Sequence, residues 1–164
     1  MISLREISSE NIDKVIALEV GANQREYINT TNLRSFADAH VLRNDGILAA
    51  PLAIYHEDIL IGFIMYIYDT LDHESFEHEV FFNKKSYFIW HFMIDRRFQG
   101  KRYGKRAFEM IIKNLNKQPF GDAEYISLFY HTDNVKAKEL YLSFGFVETN
   151  IVQDQSVLAI KSIK

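Results

Sequence analysis

Apolar residues follow the clearest pattern between residues 88 and 113. Residues 88–94 are apolar on both faces of an extended chain, apart from His91, which is typical of a central strand covered on both sides. Farther on, apolar side chains recur at three- and four-residue spacing and predict an amphipathic helix: Tyr103, Ala107, Phe108, Ile111, Ile112 and Leu115. The pattern therefore predicts a buried strand, a turn over residues 99–105 and a helix.

The N-terminal part of the chain predicts a strand followed by two helices. Residues 2–6 alternate apolar and polar side chains, as a short first strand does. A first helix ends at Gly21 and has one apolar face: Ile12, Val15, Ile16 and Val20. A second helix is predicted over residues 33–42, with the Asn- and Thr-rich residues 29–32 supplying its N-cap.

A hairpin and a long connection come next. Two strands are predicted over residues 48–55 and 60–68, with Gly62 at a bulge or a close backbone approach. Residues 69–85 form a polar, acidic connection around Phe81 and Phe82. A connection of that length is typically a lid, a binding loop or a partner surface.

The C-terminal part predicts a strand, a helix and two closing strands. The strand covers residues 125–130, and Asp133 and Asn134 cap a helix whose apolar face is Ala137, Leu140, Tyr141 and Phe144. The closing strands cover residues 146–152 and 157–163 and are expected to be antiparallel.

This order of elements predicts an α/β fold, a mixed sheet with helices on both faces. The strands at residues 88–94 and 125–130 are joined by a helix, so we expect them to be parallel neighbours. Ligands of open α/β sheets bind beyond the carboxyl ends of such strands. The prediction therefore places a single mouth at the turn of residues 99–105, residues 91–94, His131 and Asn134.

The basic turn is a candidate anion site. A helix that opens with glycines and with Lys101, Arg102 and Lys105 presents unpaired N–H groups and positive charge to a phosphorylated ligand. The alternative is an ordinary strand–turn–helix with solvated basic residues, because short glycine motifs alone are weak evidence.

Length and composition exclude several classes of protein. A chain of 164 residues predicts one domain, and a net charge of −3 favours neither nucleic acid nor an anionic membrane as a partner. Absence of cysteine removes disulfides and a Cys nucleophile, and fits a reducing compartment. No stretch has the roughly 18 apolar residues of a membrane span. His73 and His78 fit no standard metal-site spacing, so no metal is predicted. We expect a cytoplasmic protein.

Two motifs together resemble the GNAT superfamily of N-acetyltransferases. Residues 99–104, Gln-Gly-Lys-Arg-Tyr-Gly, are similar to the family's Arg/Gln-x-x-Gly-x-Gly/Ala signature after a central strand. Residues 134–146 contain Asn134, Ala137, Tyr141 and a Gly-Phe pair at the family's spacing. The resemblance implies a single GNAT-like acyl-CoA N-acyltransferase domain over residues 1–164, with acetyl-CoA as cosubstrate. It also makes a homodimer plausible.

A narrower resemblance covers the N-terminal part. The stretch Asn23-Gln24-x-x-Tyr27-Ile28-x-Thr30 is similar to the bacterial spermine/spermidine (diamine) acetyltransferase branch. It implies a polyamine-like acceptor, for which we predict contacts from Glu26, Tyr27 and Trp90. One departure from the family is Arg102, which stands where a glycine is usual. Its side chain would either crowd the diphosphate or add a bidentate contact to it.

The resemblance also implies roles for individual residues. The cofactor-binding set it implies is Met93, Ile94, Gln99, Gly100, Lys101, Arg102, Tyr103, Gly104, Lys105 and Asn134. Asn134 is equally explained as a helix N-cap. Tyr141 corresponds to the family's general acid, which protonates the leaving thiolate, although a core tyrosine would show the same pattern.

The general base and the acceptor are less determined by the sequence. The strand before the motif has no carboxylate, so His91 is the candidate base, the alternative being a hydrogen-bonded structural histidine. The carboxylates available to bind a polycation are Glu19, Glu26, Asp69, Asp72, Glu74, Glu77 and Glu79. We predict direct acetyl transfer to a primary amine of a small cationic molecule. Alternatives are a protein, peptide or amino-sugar acceptor, and a CoA-binding module without turnover.

Overall fold

The computed structural model describes residues 1–28 and 30–163 and has its helices and strands in the predicted order. The strands are β1 Ile2–Glu6, β2 Leu48–His56, β3 Ile59–Thr70, β4 Lys85–Ile94, β5 Tyr125–His131, β6 Val147–Gln153 and β7 Ser156–Ser162. The helices are α1 Ile12–Ile16, α2 Asn32–Asn44, α3 Tyr103–Leu115 and α4 Val135–Ser143. Short 3₁₀-helices cover Ala22–Gln24, Glu74–Phe76 and Arg96–Phe98.

The first helix is shorter than predicted, because α1 ends at Ile16 and Val20 lies beyond it. The backbone of Glu19 bonds to Asp95 and Arg96 instead of continuing the helix. The second helix begins where predicted, since the Thr31 side chain accepts a hydrogen bond from the backbone N–H of Arg34 at 3.1 Å. Asn29, part of the predicted cap loop, lies outside the described residues.

The seven strands form one mixed sheet in the order β1-β2-β3-β4-β5-β7-β6. The predicted parallel pairing of β4 with β5 is confirmed, and the closing pair β6–β7 is antiparallel as predicted. Strand β4 is in the middle of the sheet, which explains why it is apolar on both faces.

Strands β4 and β5 separate after a short parallel contact. Ser86–Ile89 pair with Tyr125–Leu128, and no pairing between the two strands follows within the described residues. A bulge lies at the point of separation, because His91 pairs with Met65 of β3 and Ile89 pairs with Tyr66, leaving Trp90 as the extra residue. The bulge opens a wedge at the carboxyl ends of these strands.

Three apolar clusters cover the sheet. On one face α3 and α4 pack their apolar stripes, including Phe108, Ile111 and Tyr141. On the other face α1 and α2 cover one half of the sheet, and the β3–β4 connection covers the other. Phe76 and Phe81 of this connection are buried against β5 and β7, so most of its apolar content covers the sheet.

The described residues contain no helix long and apolar enough to cross a membrane. Within the same residues, no group of three or more His, Asp or Glu side chains is arranged to hold a metal ion.

We predict that Gly62→Ala destabilises the fold. A Cβ atom at Gly62 would lie 2.4 Å from the Met93 carbonyl oxygen and 2.9 Å from Ile94 Cδ1, at the end of β4. Such overpacking lowers the free energy of unfolding by about 2 kcal/mol or more, measurable by urea denaturation. The matched control is Gly104→Ala in α3, where the nearest atom is 3.9 Å away and no loss is expected. Equal stability of the two variants would contradict the close approach.

Candidate active site

The turn after β4 leads into the N-terminus of α3. Asp95 accepts the backbone N–H of Arg97 and starts the short 3₁₀-helix Arg96–Phe98. Arg102 precedes α3 with φ 62°, in the left-handed region that favours glycine. Arginine at this position therefore carries backbone strain of about 1 kcal/mol that glycine would avoid.

The start of α3 has the properties of an anion site. No side chain of residues 1–28 or 30–163 caps this helix, so the N–H groups of its first turn are open to a ligand. Lys101, Arg102 and Lys105 are exposed around it, while Tyr103 and Gly104 are partly buried. Backbone dipoles and three side-chain charges thus favour an anion here.

The backbone groups that face the wedge belong to Phe92 and Ile94. The N–H of Asp95 donates to Ile61 of β3 at 2.8 Å, and the Met93 carbonyl also lies against β3, near Gly62. In a strand, the N–H and C=O of one residue point to the same side, and those of the next residue point to the other side. The N–H and C=O groups of Phe92 and Ile94 therefore point into the wedge. Met93 instead contributes its side chain.

The side chain of Gln99 lies at the end of this wedge. Its Nε2 donates to the Ile94 carbonyl at 2.8 Å and to Gln24 Oε1 at 2.7 Å. The predicted residue Gln99 therefore lies beside the β4 backbone that faces the wedge, and it is held there by Gln24, which belongs to the stretch that resembles the polyamine branch.

A pocket of about 250 Å³ lies between the separated strands, and we call it the splay pocket; its walls include Tyr27, Trp90, His91, Phe129, His131, Asn134 and Tyr141. A narrower slot of about 170 Å³ continues along β4 beside α4, with walls that include Val20, Gln24, Phe92, Ile94, Gln99, Lys136 and Tyr141. Tyr141 and Asn134 line both. Lys136 is a wall residue that sequence reasoning missed, because an exposed lysine on a helix carries no distinguishing signal.

Tyr141 lies where these two cavities meet. Its ring packs 5.1 Å from Phe108 and 5.5 Å from Tyr130, between ring centroids. Burial raises the pKa of the Tyr141 hydroxyl above its ordinary value, so the group stays protonated near neutral pH. Asn134 has the predicted N-cap geometry, since its Oδ1 accepts the N–H of Ala137 at 3.2 Å.

His91 is buried, with 6% of its surface exposed, and lies on the α2 side of β4. Its Nδ1 lies 2.9 Å from the hydroxyl of Ser35, a fully buried residue of α2. Burial lowers the pKa of His91 from 6.5 to about 4, so the ring is neutral at physiological pH. His91 has the structural hydrogen bond of the alternative interpretation and also lines the splay pocket, so its role as the base stays a prediction.

Aromatic rings form the entrance to the splay pocket. The ring centroids of Tyr27 and His131 are 5.0 Å apart, and Trp90 and Phe129 also line the pocket. Two of the three predicted acceptor residues, Tyr27 and Trp90, are thus brought together here. Glu26 is exposed and lines neither the splay pocket nor the slot.

A wider outer cleft of about 610 Å³ adjoins the splay pocket, and its walls include Leu18, Glu19, Arg25, Asn32, Arg34 and His91. Glu19 is the carboxylate on its wall and lies 4.0 Å from Arg25 and 3.6 Å from Arg96. The other predicted carboxylates line none of these three cavities: Glu26, Asp69, Asp72, Glu74, Glu77 and Glu79. Five of them lie at the other end of β4, at the end of β3 or in the β3–β4 connection.

Comparison with solved structures shows where this fold occurs. The crystal structure of spermidine N-acetyltransferase from Vibrio cholerae in complex with CoA and spermine superposes with a TM-score of 0.67 at 16% identity, covering 99% of this chain and 95% of that chain. An aminoglycoside N(6')acetyltransferase from Legionella pneumophila superposes with a TM-score of 0.69 at 14% identity, and the superposition covers 99% of this chain and 92% of that chain. At such identities the likeness shows the fold.

Sequence comparison goes further. The spermine/spermidine N(1)-acetyltransferase of Bacillus subtilis (strain 168) is 28% identical over 148 residues, which cover 88% of this chain and 87% of the relative. The model of the acetyltransferase (GNAT) family matches residues 12–146. The match spans most of the chain, including β4, the α3 turn and α4. The protein therefore belongs to the GNAT family of acetyl-CoA-dependent N-acetyltransferases.

Proposed function

We propose that the protein transfers the acetyl group of acetyl-CoA to a primary amine of a small cationic molecule, with a polyamine as the preferred class. The observation that carries this proposal is the splay pocket. Tyr141, His91 and several aromatic residues line this pocket, and the adjoining slot reaches Gln99 in the turn before α3, which supports the proposal. The two substrates meet there in a ternary complex.

The cofactor side fits an acyl-CoA. The diphosphate binds the first-turn N–H groups of α3 and the nearby Lys101, Arg102 and Lys105. The pantetheine arm extends along β4 as an additional strand and bonds to Phe92 and Ile94, whose peptide groups face the wedge. Gln99, which now donates to the Ile94 carbonyl, exchanges that bond for one to the ligand.

The chemistry follows from the protonation states of the pocket. The neutral amine nitrogen attacks the thioester carbonyl, and a main-chain N–H of β4 stabilises the oxyanion that forms. When the tetrahedral intermediate collapses, the C–S bond breaks and Tyr141 donates its proton to the thiolate. Neutral His91 accepts the amine proton directly or through water, and this proton returns to Tyr141 through solvent.

The polyamine preference rests on the acceptor side. Aromatic faces such as those of Tyr27 and Trp90 attract an alkylammonium chain through cation–π contacts. Glu19 in the adjoining cleft has a carboxylate that can bind a second ammonium group in competition with Arg25 and Arg96. The names of the Bacillus subtilis relative and of the Vibrio cholerae neighbour agree with this substrate class.

Incubation with acetyl-CoA and a panel of amines, with free thiol release as the signal, tests the proposal. We expect spermidine or spermine to be the best acceptor, ahead of an N-terminal peptide, a lysine peptide and an aminoglycoside. Glu19→Gln should raise the KM for spermidine several-fold and leave the KM for a monoamine of similar length unchanged. Turnover of the peptide or aminoglycoside alone would reassign the acceptor, and CoA binding without turnover on any amine would indicate an inactive module.

We predict that Tyr141→Phe lowers kcat by about 100-fold, because general acid catalysis contributes 100- to 10,000-fold. The matched control is Tyr130→Phe. Tyr130 is the adjacent ring, and its hydroxyl donates to Glu148. Steady-state thiol release with saturating amine measures both variants. Equal losses in the two would mean that Tyr141 acts through packing.

We predict that His91 makes stability depend on pH. Its folded pKa of about 4 is below the unfolded value of 6.5, so unfolding takes up a proton between these values. The contribution of neutral His91 to the free energy of unfolding is complete above pH 6.5. It is lost as the pH falls to about 4, and the total loss is roughly 3 kcal/mol. Urea denaturation at several pH values should show this slope in the wild type and a smaller one in His91→Gln. His40→Gln, at an exposed site, should keep the wild-type slope.

A further inference from the structure

The segment between α1 and α2 forms walls of all three cavities. Within residues 17–28 and 30–31 it contains no strand, and its regular element is the 3₁₀-helix Ala22–Gln24. Leu18 and Glu19 line the outer cleft, Val20 and Gln24 line the slot, and Tyr27 lines the splay pocket. The position of this segment therefore sets the geometry of the acceptor side.

The turn after β4 holds this segment in place. The Glu19 N–H donates to Asp95 Oδ2 at 3.0 Å, and the Arg96 N–H donates to the Glu19 carbonyl at 2.7 Å. Both backbone groups of Glu19 are thus bound by two successive residues of the turn. A second tie joins Gln24 to Gln99 at 2.7 Å.

Asp95 is the buried member of this arrangement, with 2% of its surface exposed. One carboxylate oxygen accepts the Glu19 N–H, and the other accepts the N–H and the Nε of Arg97 at 3.0 and 2.7 Å. Burial raises the pKa of Asp95, but the hydrogen bonds from Arg97 and Glu19 lower it more, so its pKa is below the ordinary value. The carboxylate is therefore ionised and fully bonded in the folded protein.

We propose that Asp95 is a positioning residue for acetyl transfer, which holds the Leu18–Gln24 wall against the amine through the backbone of Glu19. Asp95 lines none of the three cavities and touches neither substrate in the proposed function, on which this inference rests. Asp95 lies in the turn that leads to α3, so it connects the Leu18–Gln24 wall to the helix that binds the cofactor in the proposed function.

The test compares Asp95→Asn with Arg97→Gln. An asparagine accepts hydrogen bonds on one of its two terminal atoms, so Asp95→Asn loses either the bond from Glu19 or the bonds from Arg97. Arg97→Gln removes the exposed ion pair and leaves the bond between Asp95 and Glu19. We expect Asp95→Asn to raise the amine KM about tenfold. Its kcat and its acetyl-CoA Kd should change less than threefold. Arg97→Gln should stay within twofold of the wild type in all three.

Two signals in the chain report on this arrangement without turnover. Trp90 is the single tryptophan and lies in the splay pocket, so its fluorescence follows acetyl-CoA titration. Arg25 is an exposed tryptic site beside Gln24, and Asp95→Asn should speed cleavage there at least fivefold, whereas cleavage at Arg34 in α2 should not change. If Asp95→Asn does not fold, Asp95→Glu, with its carboxylate displaced by one carbon, is compared in the same way.

The outcomes are distinguishable from those of the proposed function. An unchanged amine KM, or unchanged cleavage at Arg25, overturns the positioning role of Asp95. An equal effect of Arg97→Gln also overturns it, because the ion pair would then be the cause. If the wild type acetylates no amine, the proposed function fails, and the Arg25 cleavage rate still decides whether Asp95 holds the segment.

Discussion

The separation of β4 from β5 is the structural constraint on which the site depends. The strands pair at Ser86–Ile89 and then diverge at the Trp90 bulge, so the peptide groups of Phe92 and Ile94 lack a neighbouring strand. Unpaired backbone groups in a half-buried position are costly. The fold covers one of them with the Gln99 side chain, and an extended ligand with its own amides would bond to both. The wedge is therefore a candidate binding site because the sheet is left incomplete there.

Burial determines the protonation of the two candidate catalytic groups in opposite ways. It lowers the pKa of His91, which is a base, and raises the pKa of Tyr141, which is an acid. Both changes favour the neutral form, so at pH 7 the pocket holds an unprotonated imidazole and a protonated phenol. His91 can accept a proton and Tyr141 can donate one in these forms, but the same shifts make His91 a weaker base and Tyr141 a weaker acid than they would be in water. The charged groups lie outside the splay pocket, at the start of α3 and on the outer cleft.

Features with a strong local cause could be predicted from the sequence. The order of elements, the central position of β4 and the caps at Thr31 and Asn134 follow from periodicity and capping chemistry. The bulge could not be predicted, because one extra residue in a strand that is apolar on both faces leaves the pattern unchanged. For the same reason the sequence did not reveal that Phe92, rather than Met93, turns its peptide group to the wedge. The early end of α1 depends on Asp95, which is distant in sequence.

Arg102 stands where the family usually has glycine and has a backbone conformation that favours glycine. This conformation is left-handed, so arginine accepts strain of about 1 kcal/mol that glycine avoids. The side chain of a left-handed residue points in a different direction from that of a helical residue. The Arg102 side chain is exposed, next to the open N–H groups at the start of α3. A guanidinium forms strong paired hydrogen bonds to phosphate, and such bonds would offset the strain if a phosphate bound there. Arginine in place of glycine is therefore compatible with a phosphate site at the start of α3.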